Sequence, residues 1–258
     1  MGIKTRTQAL REKIESLNLH YERVLELKDS FKGEKCYIVS CGPTITEHNQ
    51  EALELMLKDN LVIAVKQAFD LFPQHVDFHA YNCANFKRYD YSENKPIAIE
   101  SAATQHQIGQ CHIKFFVDNT NFNNSVSMTK EFEKGTYENS INIRPYGPGI
   151  MYESVFYLAQ HLGVSEIITI GWDNYLTKDK GPYQHFYDKE GSSYEEKEFI
   201  HHNAVADNLN AVQSLPYEEK ITSDAIGPFV NWLNSKDITL KIISTTNPAP
   251  DFIERLEI

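Results

Sequence analysis

Nowhere in the 258 residues do apolar side chains run for the roughly 18 positions that a membrane span needs. Basic residues are scarce. Lys and Arg number 25 against 36 Asp and Glu, a formal net charge of −11. Broad contact with nucleic-acid phosphates needs the opposite balance, so no nucleic-acid partner is expected. The cysteines, Cys36, Cys41, Cys83 and Cys111, include no C-x-x-C pair, which removes the usual zinc and dithiol redox motifs. They read as ordinary small core residues. No D-x-D carboxylate pair occurs, so the grip on a divalent metal that many nucleotide-sugar enzymes use is missing and no metal site is expected. Neither a Walker loop nor G-x-G-x-x-G is present. The stretch Met1–Arg11 has no apolar signal-peptide core, so a cytoplasmic location is expected.

What is there is alternation. Residues 3–31 predict one helix, with Leu10, Ile14, Leu17, Tyr21 and Val24 on a single stripe. That stripe suits packing on the chain's own domain, and an oligomer contact is the alternative. Apolar runs at 35–42, 61–67, 75–82, 113–118, 141–145, 166–173 and 240–245 predict strands. Helical patterns fall at 51–60, 147–164, 199–215 and 225–233, and the last nine residues predict a turn or helix. Near-continuous apolar strands separated by helices imply an α/β fold, a mostly parallel sheet covered on both faces. The expected organisation is a helical extension over 1–32 followed by one domain over 33–258.

In open sheets of this kind ligands bind beyond the carboxyl ends of the strands. That selects Cys41-Gly42-Pro43-Thr44, Lys66-Gln67, Asn82 with its neighbours to Asn85, and Asp173-Asn174-Tyr175. Gly42 would let a ligand approach the backbone, although a Gly-Pro pair is also a common structural stop. Residues 174–200 form a long stretch with little apolar periodicity, yet they carry Tyr175, Tyr183, His185, Tyr187, Tyr194 and Phe199. Long loops inside compact domains are usually functional, and aromatic content favours a lid. The His201-His202 pair at its end offers a general base titrating near neutral pH, or an exposed helix-start histidine. His75 and His79 in "HVDFH" have metalloprotease spacing without its H-E start, and they sit in a predicted strand.

The order of these pieces resembles the family 42 bacterial sialyltransferases. Gly42-Pro43-Thr44 ends the first strand, and Tyr81-Asn82 ends a later one. Gly147-Pro148-Gly149 leads a helix into Leu162-Gly163, an apolar strand and the G-x-D-x-Y run Gly171 to Tyr175. His202 has Asp207 five positions on, and Asn247-Pro248 precedes Phe252-Ile253-Glu254. The resemblance covers about Lys35 to Leu256. It implies a variant GT-A, Rossmann-like fold and a CMP-activated sialic acid or related nonulosonic acid as donor substrate, with no cofactor. It implies a glycan acceptor such as lipooligosaccharide in surface polysaccharide biosynthesis, and metal-independent chemistry. The catalytic base falls on His202, and the phosphate-stabilising tyrosines on Tyr175 and Tyr183. Nucleotide contacts fall on Cys41, Gly42, Pro43, Thr44, Lys66, Asn82, Gly149 and Asp173, and close to Arg144. Departures from the family pattern are Cys41 and Lys66 for asparagines, Pro148 for a serine and Phe199 for a tyrosine. Lys66 puts a positive charge where a donor phosphate or carboxylate could sit.

More distant likenesses are to motility accessory factors and hydroxymethylpterin pyrophosphokinases. A phosphotransferase using ATP and magnesium, or a non-catalytic nucleotide-binding protein, is therefore the alternative reading. Peripheral association with the inner membrane face and homo-oligomerisation stay open.

Overall fold

The computed structural model describes residues 1–82, 89–102, 111–116, 152–173, 186, 226–227, 229–244 and 251–258. Its centre is an eight-stranded sheet in the order β5-β4-β3-β2-β1-β6-β7-β8. The strands are β1 (Lys35–Val39), β2 (Leu61–Val65), β3 (Phe78–Asn82), β4 (Ile97–Ala102), β5 (Ile113–Phe116), β6 (Glu166–Ile170), β7 (Thr239–Ile243) and β8 (Glu254–Arg255). Every ladder is parallel. This is the α/β parallel sheet expected from the apolar runs, and the Rossmann-like architecture that the resemblance implies.

Strand side chains alternate between faces, so two cores form. Cys36, Ile38, Ile63, Phe78, Ile99 and Ile167 join one core, and Tyr37, Val39, Val62, Ala64, Tyr81 and Ile170 the other. The first face is covered by α1 (Ile3–Ser16), α2 (His20–Leu27), α4 (Tyr152–His161) and α5 (229–235). The second is covered by α3 (Gln50–Leu57) and by the 3-10 turns Lys66–Leu71 and Pro73–His75.

The N-terminal segment differs from the single predicted helix. It breaks between Ser16 and His20, although no Gly or Pro stands there. The Arg23 guanidinium donates from Nε and Nη2 to the Leu17 carbonyl at 3.0 and 2.8 Å, which holds the reversal. The bend lets Ile14 from α1 and Val24 and Leu27 from α2 reach the same core. Tyr21, expected on the buried stripe, is 54% exposed. Fully buried Ile14, Leu27 and Phe31 make residues 1–32 part of the sheet's own core. Asp77 fastens α1 to the amino end of the sheet. It accepts from Lys4 Nζ at 2.6 Å, Thr7 Oγ1 at 2.7 Å and the Val62 amide at 2.9 Å. Burial still raises the Asp77 pKa against the pull of Lys4.

Two elements depart from expectation in the sheet itself. β4 is absent from the predicted strands, because Pro96 and Glu100 interrupt its apolar pattern. The C-terminal segment, expected as a turn or helix, pairs in register with β7 as Lys241↔Glu254 and Ile242↔Arg255. The expected strand at 141–145 and helix at 199–215 lie outside the described residues.

Candidate functional site

Strand order reverses at β1. From it the chain builds outward through β2, β3, β4 and β5 on one side, and through β6, β7 and β8 on the other. The space beyond the carboxyl ends of β1 and β6 is therefore the topological switch point, where ligands of open α/β sheets bind. Cys41–Thr44 leave β1 there, and Gly171–Asp173 leave β6.

These two exits are locked together. The Ser40 amide donates to the Ile170 carbonyl and the Gly42 amide to the Gly171 carbonyl, both at 2.8 Å. Thr44 donates from its amide to Asp173 Oδ2 at 2.6 Å, and its hydroxyl donates to Asp173 Oδ1. Ser244, just after β7, donates its hydroxyl to the same Oδ1 at 2.7 Å. Asp173 is buried, so these aligned donors take the place of water around its carboxyl group.

The reason for glycine at position 42 is local. A Cβ there would stand 2.3 Å from the Gly171 carbonyl oxygen and 2.4 Å from Asp173 Oδ2. The close approach allowed by Gly42 is thus taken by the protein's own β6 exit. Gly171 has φ +66 and no room for a side chain beside the Ser40 carbonyl. Pro43 opens the following 3-10 turn, where its fixed φ is suited to the first position.

The neighbouring β2 exit is held in a costly conformation. Lys66 has φ +49, in the left-handed region that a side chain disfavours. The Cys41 thiol donates to the Val65 carbonyl at 3.1 Å. His79 Nε2 lies 2.8 Å from the Lys66 carbonyl. A carbonyl only accepts, so Nε2 carries the proton. Nδ1 then accepts from the Tyr91 hydroxyl at 2.7 Å. Burial keeps this imidazole neutral, with its pKa lowered to about 3. Phe69 stacks on the ring at 4.7 Å between centroids, and Tyr89 meets it edge-on at 4.3 Å. Burial also raises the Cys41 pKa to about 11, opposed by the Lys66 charge and by the Ala68 and Gln67 amides.

The fold therefore brings together Cys41, Gly42, Pro43, Thr44, Lys66 and Asp173 at one rim. Thr44 and Asp173, read from sequence as nucleotide contacts, hydrogen-bond each other. Asn82 ends β3 opposite Ser101 of β4. His202, Tyr175, Tyr183, Arg144 and Gly149 lie outside the described residues, as does nearly all of the expected lid over 174–200. Phe186 is the described residue of that stretch. It is buried, and its amide donates to the Cys41 carbonyl at 2.8 Å. Ser244 is a site residue that the sequence reading misses, although the rule that selects residues after strands applies equally to β7. Among the described residues no group of three or more His, Cys, Asp or Glu comes together to hold a metal ion. No described helix is long and apolar enough to cross a membrane.

No protein family matches the chain, and no curated protein does. Among solved structures it is similar to the sialyltransferase CstII from Campylobacter jejuni, in complex with the substrate analogue CMP-3FNeuAc. Identity is 16%, covering 87% of this chain and 86% of that one, with a TM-score of 0.43.

Proposed function

We propose that the chain is a glycosyltransferase that binds a CMP-activated sugar at the β1/β6 switch point. The donor is a sialic acid or related nonulosonic acid, and the acceptor is a glycan hydroxyl. The observation that carries this reading is the locked pair of exits, Gly42–Thr44 against Asp173, at the place where a parallel sheet receives its ligand. The sequence carries the candidate chemistry in the order of the family 42 sialyltransferases.

In this reaction His202 takes the proton from the acceptor hydroxyl. That oxygen forms a bond to the anomeric carbon through an oxocarbenium-like transition state as the bond from that carbon to the CMP phosphate oxygen breaks. CMP leaves with the bonding pair, and the hydroxyls of Tyr175 and Tyr183 stabilise its phosphate without a metal. A positioned base contributes roughly 10²–10⁴-fold to such a step. Asp173 does not touch the reacting atoms in this scheme. Its part is to hold the Thr44 turn rigid, so that the rim is organised before the ligand arrives.

Thermal denaturation with CMP, CDP, UDP, GDP and ATP, each with and without magnesium, tests the proposal. A ligand that binds the native state raises the melting temperature. Stabilisation by cytidine nucleotides without metal is expected. Stabilisation by ATP with magnesium alone would sink the transferase and favour a phosphotransferase.

A further inference from the structure

Lys66 is held in a place that its own backbone resists. At φ +49 it lies in the left-handed region, which glycine and asparagine enter with less strain than a long side chain does. Such a conformation persists where the surrounding structure imposes it. Here both carbonyls that flank the residue are pinned from neighbouring strands. The Val65 carbonyl accepts from the Cys41 thiol, just past β1, at 3.1 Å. The Lys66 carbonyl accepts from His79 Nε2, on β3, at 2.8 Å. His79 is fixed in turn by the Tyr91 hydroxyl at 2.7 Å and by the stacked ring of Phe69.

Strand parity shows what the strain achieves. Val62 and Ala64 belong to the second core, so one more extended residue would carry Lys66 into the same buried row. The left-handed step ends β2 instead. Gln67, Ala68 and Phe69 are buried, while Lys66 stays half-buried at the rim of the switch point. Its charge is felt at the β1 exit, where it opposes the rise that burial gives the Cys41 thiol. Glycine or asparagine could end the strand there with little strain, so the braces serve the lysine side chain rather than the turn. A cation fixed where a parallel sheet receives its ligand complements an oxyanion.

We propose that His79 is a positioning residue for the donor: through the Lys66 carbonyl it holds the Lys66 ammonium against an oxyanion of the nucleotide sugar. The oxyanion is the donor's phosphate or the carboxylate of its sugar. This rests on the proposed function and adds the pair that reads the donor's charge.

Calorimetric titration of wild type, Lys66→Asn, His79→Phe and the double variant with cytidine, CMP and CMP-N-acetylneuraminic acid tests it. Lys66→Asn should melt no lower than wild type without ligand, since asparagine tolerates the left-handed backbone. It should nevertheless bind the CMP-sugar roughly tenfold more weakly, with cytidine changed by less than about twofold. A matching loss for CMP assigns the phosphate as the partner, and unchanged CMP assigns the carboxylate. His79→Phe keeps a ring beside Phe69 and removes the donor to the Lys66 carbonyl. It should weaken the CMP-sugar roughly threefold or more, with no further loss when Lys66 is already Asn. Equal losses from His79→Phe in both backgrounds mean that His79 does not act through Lys66, and the positioning role is wrong. Lys66→Asn decides even where His79→Phe fails to fold. Unchanged affinity for CMP and the CMP-sugar overturns the proposal, and so does an equal loss for cytidine. Wild type binding none of the three probes overturns the CMP-sugar reading and the proposal with it.

Discussion

Thr44 and Asp173 stand 129 positions apart in the chain, yet the Thr44 amide donates to Asp173 Oδ2 at 2.6 Å and its hydroxyl donates to Oδ1. One buried carboxylate thus ties the exit of the first strand to the exit of the sixth. Replacing Asp173 by Ala removes the carboxylate that accepts from these donors and from the Ser244 hydroxyl. Hydrogen bonds to charged groups contribute about 1.5–3 kcal/mol each and are not additive, so a loss of about 3 kcal/mol is expected in urea unfolding. A loss below about 1 kcal/mol would show that the lock contributes little.

Gly42→Ala should be severe for a different reason. The new methyl would meet a backbone carbonyl, which cannot swing away like the end of a flexible side chain. Overpacking costs about 1–3 kcal/mol and more where backbone must shift. Gly227→Ala serves as the control, because no atom of the described residues lies within 4 Å of the point where its methyl would stand. Equal unfolding midpoints for the two alanine variants would contradict the crowding at Gly42.

His79 makes a pH prediction. Its imidazole titrates near 6.5 when unfolded and at about 3 in the fold. The unfolded chain therefore takes up the proton first. Stability from this group is complete above about pH 6.5 and is lost as pH falls toward 3, by about 1.4 kcal/mol per pH unit. His79→Gln should show a correspondingly flatter acid limb in stability against pH. Parallel limbs would mean that the buried ring does not resist protonation.

Thiol reactivity should separate the cysteines. Burial raises the pKa of Cys36 and lifts that of Cys41 to about 11, while Cys111 is partly exposed. Iodoacetamide at pH 8 should modify Cys111 well before Cys36 or Cys41, which react only on unfolding. Peptide mass spectrometry reads the order, and early labelling of Cys41 would mean that the β1 exit opens to solvent.

The catalytic assignment is tested by His202→Ala. Transfer from CMP-N-acetylneuraminic acid to a galactoside should fall by about 10²-fold or more, with CMP affinity within a few fold. His201→Ala should do much less, because the resemblance puts the base on His202 and not on its neighbour. A His202→Ala enzyme at wild-type rate would remove the base.

The sheet is legible in the sequence where its strands are uninterrupted apolar runs, as at β1, β2, β6 and β7. The rule that ligands lie beyond strand ends finds Cys41–Thr44, Lys66 and Asp173 from the sequence alone. β4 escapes because Glu100 sits in a buried row where pattern calls for an apolar residue. The break before His20 has no Gly or Pro to mark it. It follows from where Val24 and Leu27 must go, which is tertiary information. The left-handed backbone at Lys66 is equally silent, since lysine has no preference for it and the His79 clamp is thirteen positions away.

β1 is the first strand made but sits in the middle of the sheet, with Lys35↔Glu166 as one of its rungs. On a ribosome adding ~5–20 residues per second, one edge of this strand waits on the order of ten seconds for its partner. A half-built sheet with an unpaired central strand is open to pairing with other chains. Pairing across so long a stretch of chain makes for slow folding, and until β6 arrives the open edge of β1 has to stay clear of other strands.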